Sequence, residues 1–593
     1  MSDIAARDEP SARRSRLRPP ELAAAGAAIL LLLALAAASG FDGLADLGGD
    51  NDSLLRLVQV RDVLAGQGWF DPMQYRMGIA GGFAMHWSRL VDAPLAGFVL
   101  AFGEPAALTA WPFVLAALAT FLLARMARLE HGEGAIFPAA AVGILALVSV
   151  GLFRPGMIDH HNVQLTLVLG MALGLLAGGL LAGLAAGACA ALTLAVGIET
   201  LPYVATGGAV AALLFLVRGR AEAGTAAGFG LGFAVVGAAA FVATVPPSRW
   251  LVAACDAFSL PQASVSVLAG LGLALAASAG VVSATPARRA SALSVVAAAV
   301  GALLLAFPQC LGDPYGSLDP RLRTLWLDGV VEAQPFTTIA RRDPAMLFAW
   351  YATPLIGLGA LAWRVSLRGW RRGDVILGAL LAAAILVSLW QVRGAMFSVV
   401  LAVVPLSGWI AGRRAAAGSS AAGSSALGTL ALAAAWLLSF NAVWSAAGDR
   451  LLSSRHGQPA GMAVAPAGTC LARDDYALLA AQPATTVLAV SNLGSPVLAH
   501  TPHRALAGPY HRNVAGNLAA LDIMLAAPAE AEVLARRHGV GVVALCPGNS
   551  ETALLNAAAP GGLVAELSAG RVPAWLRPVG ANGSLRLYAV RPG

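Results

Sequence analysis

There is no lysine anywhere in this 593-residue sequence, and charged side chains of all kinds make up only 12% of it. A soluble domain carries roughly 25%, so an ordinary soluble enzyme is excluded. Disorder is excluded as well, because 58% of the residues are hydrophobic and unfolded segments are poor in apolar residues. The net charge of +7 rests on arginine alone. Those arginines fall between apolar runs rather than in one patch, which removes the electrostatic footprint of a nucleic-acid-binding module. Cysteine is scarce too. There are five, with no CxxC or zinc-type spacing, so no thiolate metal site is encoded. What remains is apolar sequence, at a mean hydropathy of +0.72. The chain reads as a polytopic membrane protein.

A spanning helix needs roughly 20 apolar residues to cross about 30 Å of hydrocarbon. The first candidate, 22–40, follows Arg13, Arg14, Arg16 and Arg18, which predicts a cytoplasmic N-terminus and a retained anchor. Further spans are expected near 105–125, 135–153, 163–179, 182–199, 203–217, 225–245, 264–284, 290–308, 346–363, 375–391, 395–411 and 426–446. That makes about thirteen, an odd count that puts the C-terminus outside. The loops assigned inside hold Arg125 and Arg128, Arg218 and Arg220, Arg288 and Arg289, Arg364 to Arg372, and Arg413 and Arg414, as the positive-inside rule requires. The expected location is a bacterial inner (cytoplasmic) membrane, with the C-terminal part periplasmic.

Four outer segments remain: 41–92, 246–263, 309–345, and everything after about 447. The last alternates strand-like pieces (486–490, 541–545) with helical ones (518–526, 529–537), and reads as a small α/β domain. The chain thus divides into a basic tail (1–21), a membrane domain (22–446) and an outer domain (447–593). The Gly/Ser/Ala stretch 415–426 is a loose inner loop. Cys189 falls in a span, whereas Cys255, Cys310, Cys470 and Cys546 face outward, where disulfides persist. Cys470–Cys546 and Cys255–Cys310 are the expected pairs.

Polar residues gather on the outer side, and charges at a membrane edge are costly unless paired or used. In Gly49-Asp50-Asn51-Asp52-Ser53, which opens an amphipathic helix, Asp52 or Ser53 is a candidate N-cap. Asp159-His160-His161 follows a Pro-Gly turn and offers oxygen and nitrogen donors suited to Mn²⁺, Mg²⁺ or Zn²⁺; a solvated turn capping the next helix is the plain alternative. Leu327 to Phe336 carries Asp328 and Glu332 in an apolar strip, either for chemistry or for packing on headgroups. Arg393, at the outer end of a span, either snorkels to the interface or grips phosphate oxygens.

Together, in this order and at these positions, the four segments resemble the catalytic subunits of oligosaccharyltransferases, especially the single-subunit bacterial and archaeal enzymes of the GT-C superfamily. The segment NDSLLRLVQVRDVLAGQGWFDP is similar to that family's first outer loop, with Asp52 as its acid. Asp159-His160-His161 resembles its Asp-x-His motif. Gly329-Val330-Val331-Glu332 matches its fifth-loop motif in the glutamate but not in the hydroxyl, and Arg393 fits its phosphate-binding arginine. The family's WWDYG acceptor motif is absent.

The resemblance implies a mainly α GT-C fold with a small C-terminal α/β extracytoplasmic domain. It also implies transfer of a glycan from a polyprenyl-(pyro)phosphate donor to an acceptor. The implied metal ligands are Asp52, Asp159 and His161, holding Mn²⁺ or Mg²⁺. Asp52 and Glu332 are the catalytic candidates and Arg393 the donor-phosphate ligand. His160, His503 and His511 are candidate substrate contacts; otherwise His160 orients its neighbours or faces water, and His503 and His511 are satisfied surface histidines. The acceptor, a protein, lipid or polysaccharide, stays open. A single-sugar transferase using a monophosphate donor is the near alternative. A transporter or flippase is the distant one, and would want ionisable groups near mid-bilayer; Glu199 is the main residue in its favour.

Overall fold

The computed structural model describes residues 19–41, 43–47, 50–313, 315–316, 318–418, 426–452, 468 and 470–592. The N-terminal arginines and most of the 415–426 loop lie outside the described residues. Each expected span is helical. Among the described residues nine helices are long and apolar enough to cross a membrane, and one bent pair could act as a further span. Three shorter apolar helices, Glu133–Ser149, His161–Ala177 and Leu180–Val196, accompany them.

The last expected span, 426–446, is instead two helices, Ala426–Ser439 and Asn441–Leu452, bent by 78°. Ser439 bonds back to Ala435 O at 2.6 Å, a habit that bends helices. Beyond it, Asn441 accepts from Thr353 Oγ1 at 3.1 Å and donates to Ser149 Oγ at 3.3 Å. The buried amide is thereby satisfied by two other helices rather than by a straight continuation. The second helix also runs to Leu452, past the 446/447 boundary expected from the sequence.

Glycine sets how closely some helices approach. Gly183 and Gly187 on Leu180–Val196 meet the backbone of Arg220–Thr244, where Gly228 and Gly232 return the contact; a Cβ at Gly187 would strike the Phe229 carbonyl. Small residues of this kind let membrane helices pack backbone to backbone. Pro286–Leu305, in contrast, is hardly buried against protein at all.

The C-terminal domain holds a five-stranded sheet. Two residue pairs upstream, β1 (Met73–Gln74) and β2 (Phe83–Ala84), form a separate hairpin. The sheet itself consists of β3 (Thr486–Leu488), β4 (Arg504–Ala505), β5 (Val540–Leu545), β6 (Leu576–Asn582) and β7 (Leu585–Val590), in the order β4-β3-β5-β7-β6. β4, β3 and β5 run parallel, and β7 runs antiparallel to both its neighbours, β5 and β6. At its β4 edge the first outer loop adds itself as backbone: Ala505 N donates to Arg76 O at 2.9 Å and Gly78 N to Ala505 O at 2.8 Å. The domain's core therefore extends beyond the domain. Leu55, Val58, Met77, Phe83, Met85 and Trp87 pack into it, as do Leu322 and Trp326. Cys470–Cys546 and Cys255–Cys310 are both bonded, and Cys189 is free.

The helix Asn51–Leu64 links the two halves. Leu55 and Val58 face the C-terminal domain, while Leu54, Leu57 and Val60 pack on Val91, Leu95, Leu108 and Trp111. Each such side chain contributes about 1.5–3 kcal/mol on burial. Between these faces lies Arg56, fully buried, paired with Asp92 at 2.7 Å and stacked 4.4 Å over Trp87. Removing either partner of a buried pair costs about 3–5 kcal/mol, so the helix and its N-terminal Asp52 are firmly seated.

Candidate functional site

The Asn51–Leu64 helix is capped by Asp50, whose Oδ2 accepts from Ser53 N at 2.8 Å. The capping role expected of Asp52 or Ser53 thus belongs to Asp50. Ser53 uses its hydroxyl elsewhere, accepting from Ile158 N at 3.1 Å, and so ties the helix start to the Asp159 turn. Asp52 is left with a carboxylate that no hydrogen bond engages among the described residues, and it lines a cavity of about 1240 Å³.

His160 and His161 line the same cavity, and their ligand atoms and those of Asp159 lie within 4.8 Å of one another. Asp159 Oδ1 is 2.5 Å from His160 Nδ1, and Oδ2 is 3.5 Å from His161 Nε2. Burial alone would raise Asp159, but His160 and His161 outweigh it and hold the carboxyl below the usual range. Burial opposes the His160 charge, yet Asp159 and Glu199 (3.3 Å from Nε2) push it up to about 10. Asp50 rises to about 6 and Asp52 well above its ordinary value, through burial and then the charge of Asp159. Three carboxylates crowd one locus. Asp52 is outside the three-residue cluster but electrostatically coupled to it.

His161 has its tautomer decided at a distance. Gln164 donates its amide to Gly197 O and Glu199 Oε2, both at 3.1 Å. Its oxygen must then accept, and it faces His161 Nδ1 at 2.9 Å. Nδ1 therefore carries a proton, and Nε2 is the nitrogen turned toward the Asp159 carboxylate. Fixing the ring through its other nitrogen is how proteins orient a metal-binding histidine. An acid-rich locus with an imidazole nitrogen aimed into it fits a divalent cation.

Arg393 and Glu332 line the same cavity. They form an ion pair at 3.1 Å, and Arg393 Nε is buried without a partner. His511 is also there, its Nε2 donating to Asp256 Oδ2 at 2.7 Å. His503 is not brought to the site. It is fully buried in the C-terminal domain, accepting from Thr485 N at 3.0 Å and donating to Leu479 O at 2.8 Å. Both its nitrogens are satisfied, which makes it a core residue.

Gln164, Asp256, Tyr510 and Trp87 join the site without having been legible in it. Gln164 had a signal, since it lies one helical turn after His161 on the same helix. Glu199 lines the cavity at the start of its helix and braces His160 and Gln164.

No protein-family model and no curated protein matches the sequence. Solved structures do match. The oligosaccharyltransferase AglB of the archaeon Archaeoglobus fulgidus, in complex with an inhibitory peptide and a dolichol-phosphate, superposes with a TM-score of 0.62 at 16% identity, over 92% of this chain and 72% of that one. The A. fulgidus enzyme tethered to an acceptor peptide containing the NVT sequon gives 0.63 at 15%, over 92% and 72%. Its complex with Zn and sulfate gives 0.59 at 14%, over 92% and 70%. The fold is that of these structures, a polytopic helical membrane domain with a C-terminal α/β domain.

Proposed function

We propose that the protein is a membrane glycosyltransferase of the oligosaccharyltransferase kind, moving a glycan from a polyprenyl phosphate or pyrophosphate to an acceptor on the extracytoplasmic face. One observation carries this reading: a single cavity is lined by the Asp52, His160 and His161 wall, by Arg393, and by apolar residues such as Leu304, Val265 and Phe397. Charge recognition suits a phosphate, and the apolar lining suits a prenyl chain. The AglB complexes, with a dolichol-phosphate and with acceptor or inhibitory peptides, favour a lipid-linked donor and leave a peptide among the acceptors to test. The Cys255–Cys310 bridge lines the cavity and favours an oxidising, periplasm-like side.

Asp52, Asp159 and His161 would hold the divalent cation, Mn²⁺, Mg²⁺ or Zn²⁺. Bound there, the cation supplies Lewis acidity toward phosphate oxygens. Arg393 adds a planar fork of donors for the same oxygens, and its hold tightens as charge develops on the departing phosphate. His160, braced by Asp159 and Glu199, keeps the ligand turn rigid. Glu332, on the segment that walls the cavity, moves to the acceptor or the metal shell once phosphate takes Arg393. That segment also excludes water and protects the donor from hydrolysis.

The test incubates purified protein with lipid-linked glycans extracted from the producing cells, a divalent cation and candidate acceptors, with products read by mass spectrometry. Cation-dependent release of glycan from the lipid, lost in Asp159→Ala, is the expected result. Intact donors under every condition, or release that survives chelation, would overturn the reading. The mass added to the product distinguishes an oligosaccharide from a single sugar.

A further inference from the structure

His503 and His511 lie on neighbouring turns of the C-terminal domain and are wired oppositely. His503 has both ring nitrogens engaged. His511 uses one: its Nε2–H donates to Asp256, which leaves Nδ1 as the lone-pair nitrogen, with no hydrogen bond to it among the described residues. The carboxylate behind it is fixed from several sides. Arg512 Nε and Nη2 bind its two oxygens at 2.6 and 2.7 Å, and the adjacent Cys255 is bonded to Cys310. The imidazole packs against His86, 4.6 Å between centroids, and edge-on to Tyr315 at 5.7 Å. His511, Asp256, Cys255, Cys310, His86 and Tyr315 all line the cavity that also holds Asp52, Glu332 and Arg393.

We propose that His511 is the general base for the acceptor, oriented by Asp256, and that the acceptor presents a hydroxyl group. The inference rests on the glycosyl-transfer reading above. An imidazole with a carboxylate behind one nitrogen is the standard means of drawing a proton from a hydroxyl nucleophile. The acceptor oxygen bonds to the anomeric carbon of the donor sugar. The bond from that carbon to the phosphate oxygen breaks, its electron pair leaving on the phosphate. The hydroxyl proton passes to His511 Nδ1 and from there to solvent. The resulting imidazolium faces the negative Asp256, with Arg512 opposing it. Burial above all keeps His86 well below its ordinary value, so it adds no further positive charge. A carboxamide acceptor gains less from this arrangement, because its nitrogen lone pair is delocalised into the carbonyl and proton removal after attack does not restore it.

The test uses full-length protein, the same extracted donors and two small nucleophile probes. Glycerol must lose a proton to react; azide, already ionised, has none to lose. His511→Gln keeps a donor for Asp256 but has no basic nitrogen. It should lower glycosyl transfer to glycerol by about 10²–10⁴-fold while azide consumes donor at a rate within a few-fold of wild type. The part of the wild-type acidic limb that is seen with glycerol and not with azide should vanish in the variant. Equal losses with both probes, or an unchanged rate with glycerol, would overturn the base assignment alone. A wild-type protein that consumes donor with neither probe would overturn the glycosyl-transfer reading, and this inference with it.

Discussion

Glu332 holds Arg393 in a 3.1 Å ion pair, so the guanidinium proposed to bind the donor phosphate is already engaged by a residue of the cavity wall. The pair is held in place from the backbone as well, since Val392 N donates to Gln334 O at 3.0 Å. A phosphate must therefore displace a carboxylate before Arg393 can serve it. Glu332 is 46% exposed, so the competition is worth about 0.2–1 kcal/mol. Glu332→Gln should tighten donor binding by up to about fivefold while lowering kcat. Steady-state kinetics with varied donor checks both halves. A variant with weaker donor binding would show that the pair helps rather than hinders phosphate.

The His161 tautomer depends on Gln164, and its removal should be felt at the metal rather than in the fold. Gln164→Leu should weaken divalent-cation binding by about 10–100-fold. Titration with Mn²⁺, followed by its electron paramagnetic resonance signal, gives the affinity directly. Unchanged affinity would mean that the ring is oriented by something other than the amide.

Close helix packing makes opposite predictions for two glycines. Gly187→Ala puts a methyl group against the Phe229 carbonyl and should cost about 1–3 kcal/mol by overpacking. Gly97→Ala, inside Arg89–Phe102 with nothing within 4 Å of the new atom, should be neutral or stabilising by up to about 1 kcal/mol. Thermal unfolding in detergent distinguishes them, and equal effects would contradict the packing described.

Asp256 clasps the C-terminal domain to the 246–259 loop through Arg512 and His511. Burial would raise its carboxyl, but those two partners hold it below the usual range. A depressed carboxylate stabilises the fold fully above its unfolded value of about 4, and loses that contribution as pH falls below it. Asp256→Asn should therefore lower the Tm at neutral pH, and the gap from wild type should narrow in acid. A gap that widens as pH falls would reverse the sign of the argument.

Much of the membrane domain was legible because spans of about 20 apolar residues need no tertiary information. The order of short motifs around Asp52, Asp159, Glu332 and Arg393 carried the likeness to oligosaccharyltransferases, which at 14–16% identity is otherwise faint in the sequence. The N-cap was misread because Asp50, Asp52 and Ser53 are all competent caps, and only the fold decides which backbone N–H each can reach. The bend after Ser439 depends on Thr353 and Ser149, far away in the chain. The hairpin β6–β7 had a signal in Gly583–Ser584, a two-residue turn led by glycine, but most of Leu576–Asn582 is exposed and its alternation is weak. Asp256 and His511 are 255 residues apart, and nothing local links them.

The most direct measurement is anomalous diffraction from crystals of the protein grown with Mn²⁺. The expected result is one manganese peak bonded to Asp52, Asp159 and His161, absent in Asp159→Ala. A peak elsewhere, or a peak at Asp159 and His161 with Asp52 out of bonding reach and unmoved, would contradict a three-ligand catalytic cation.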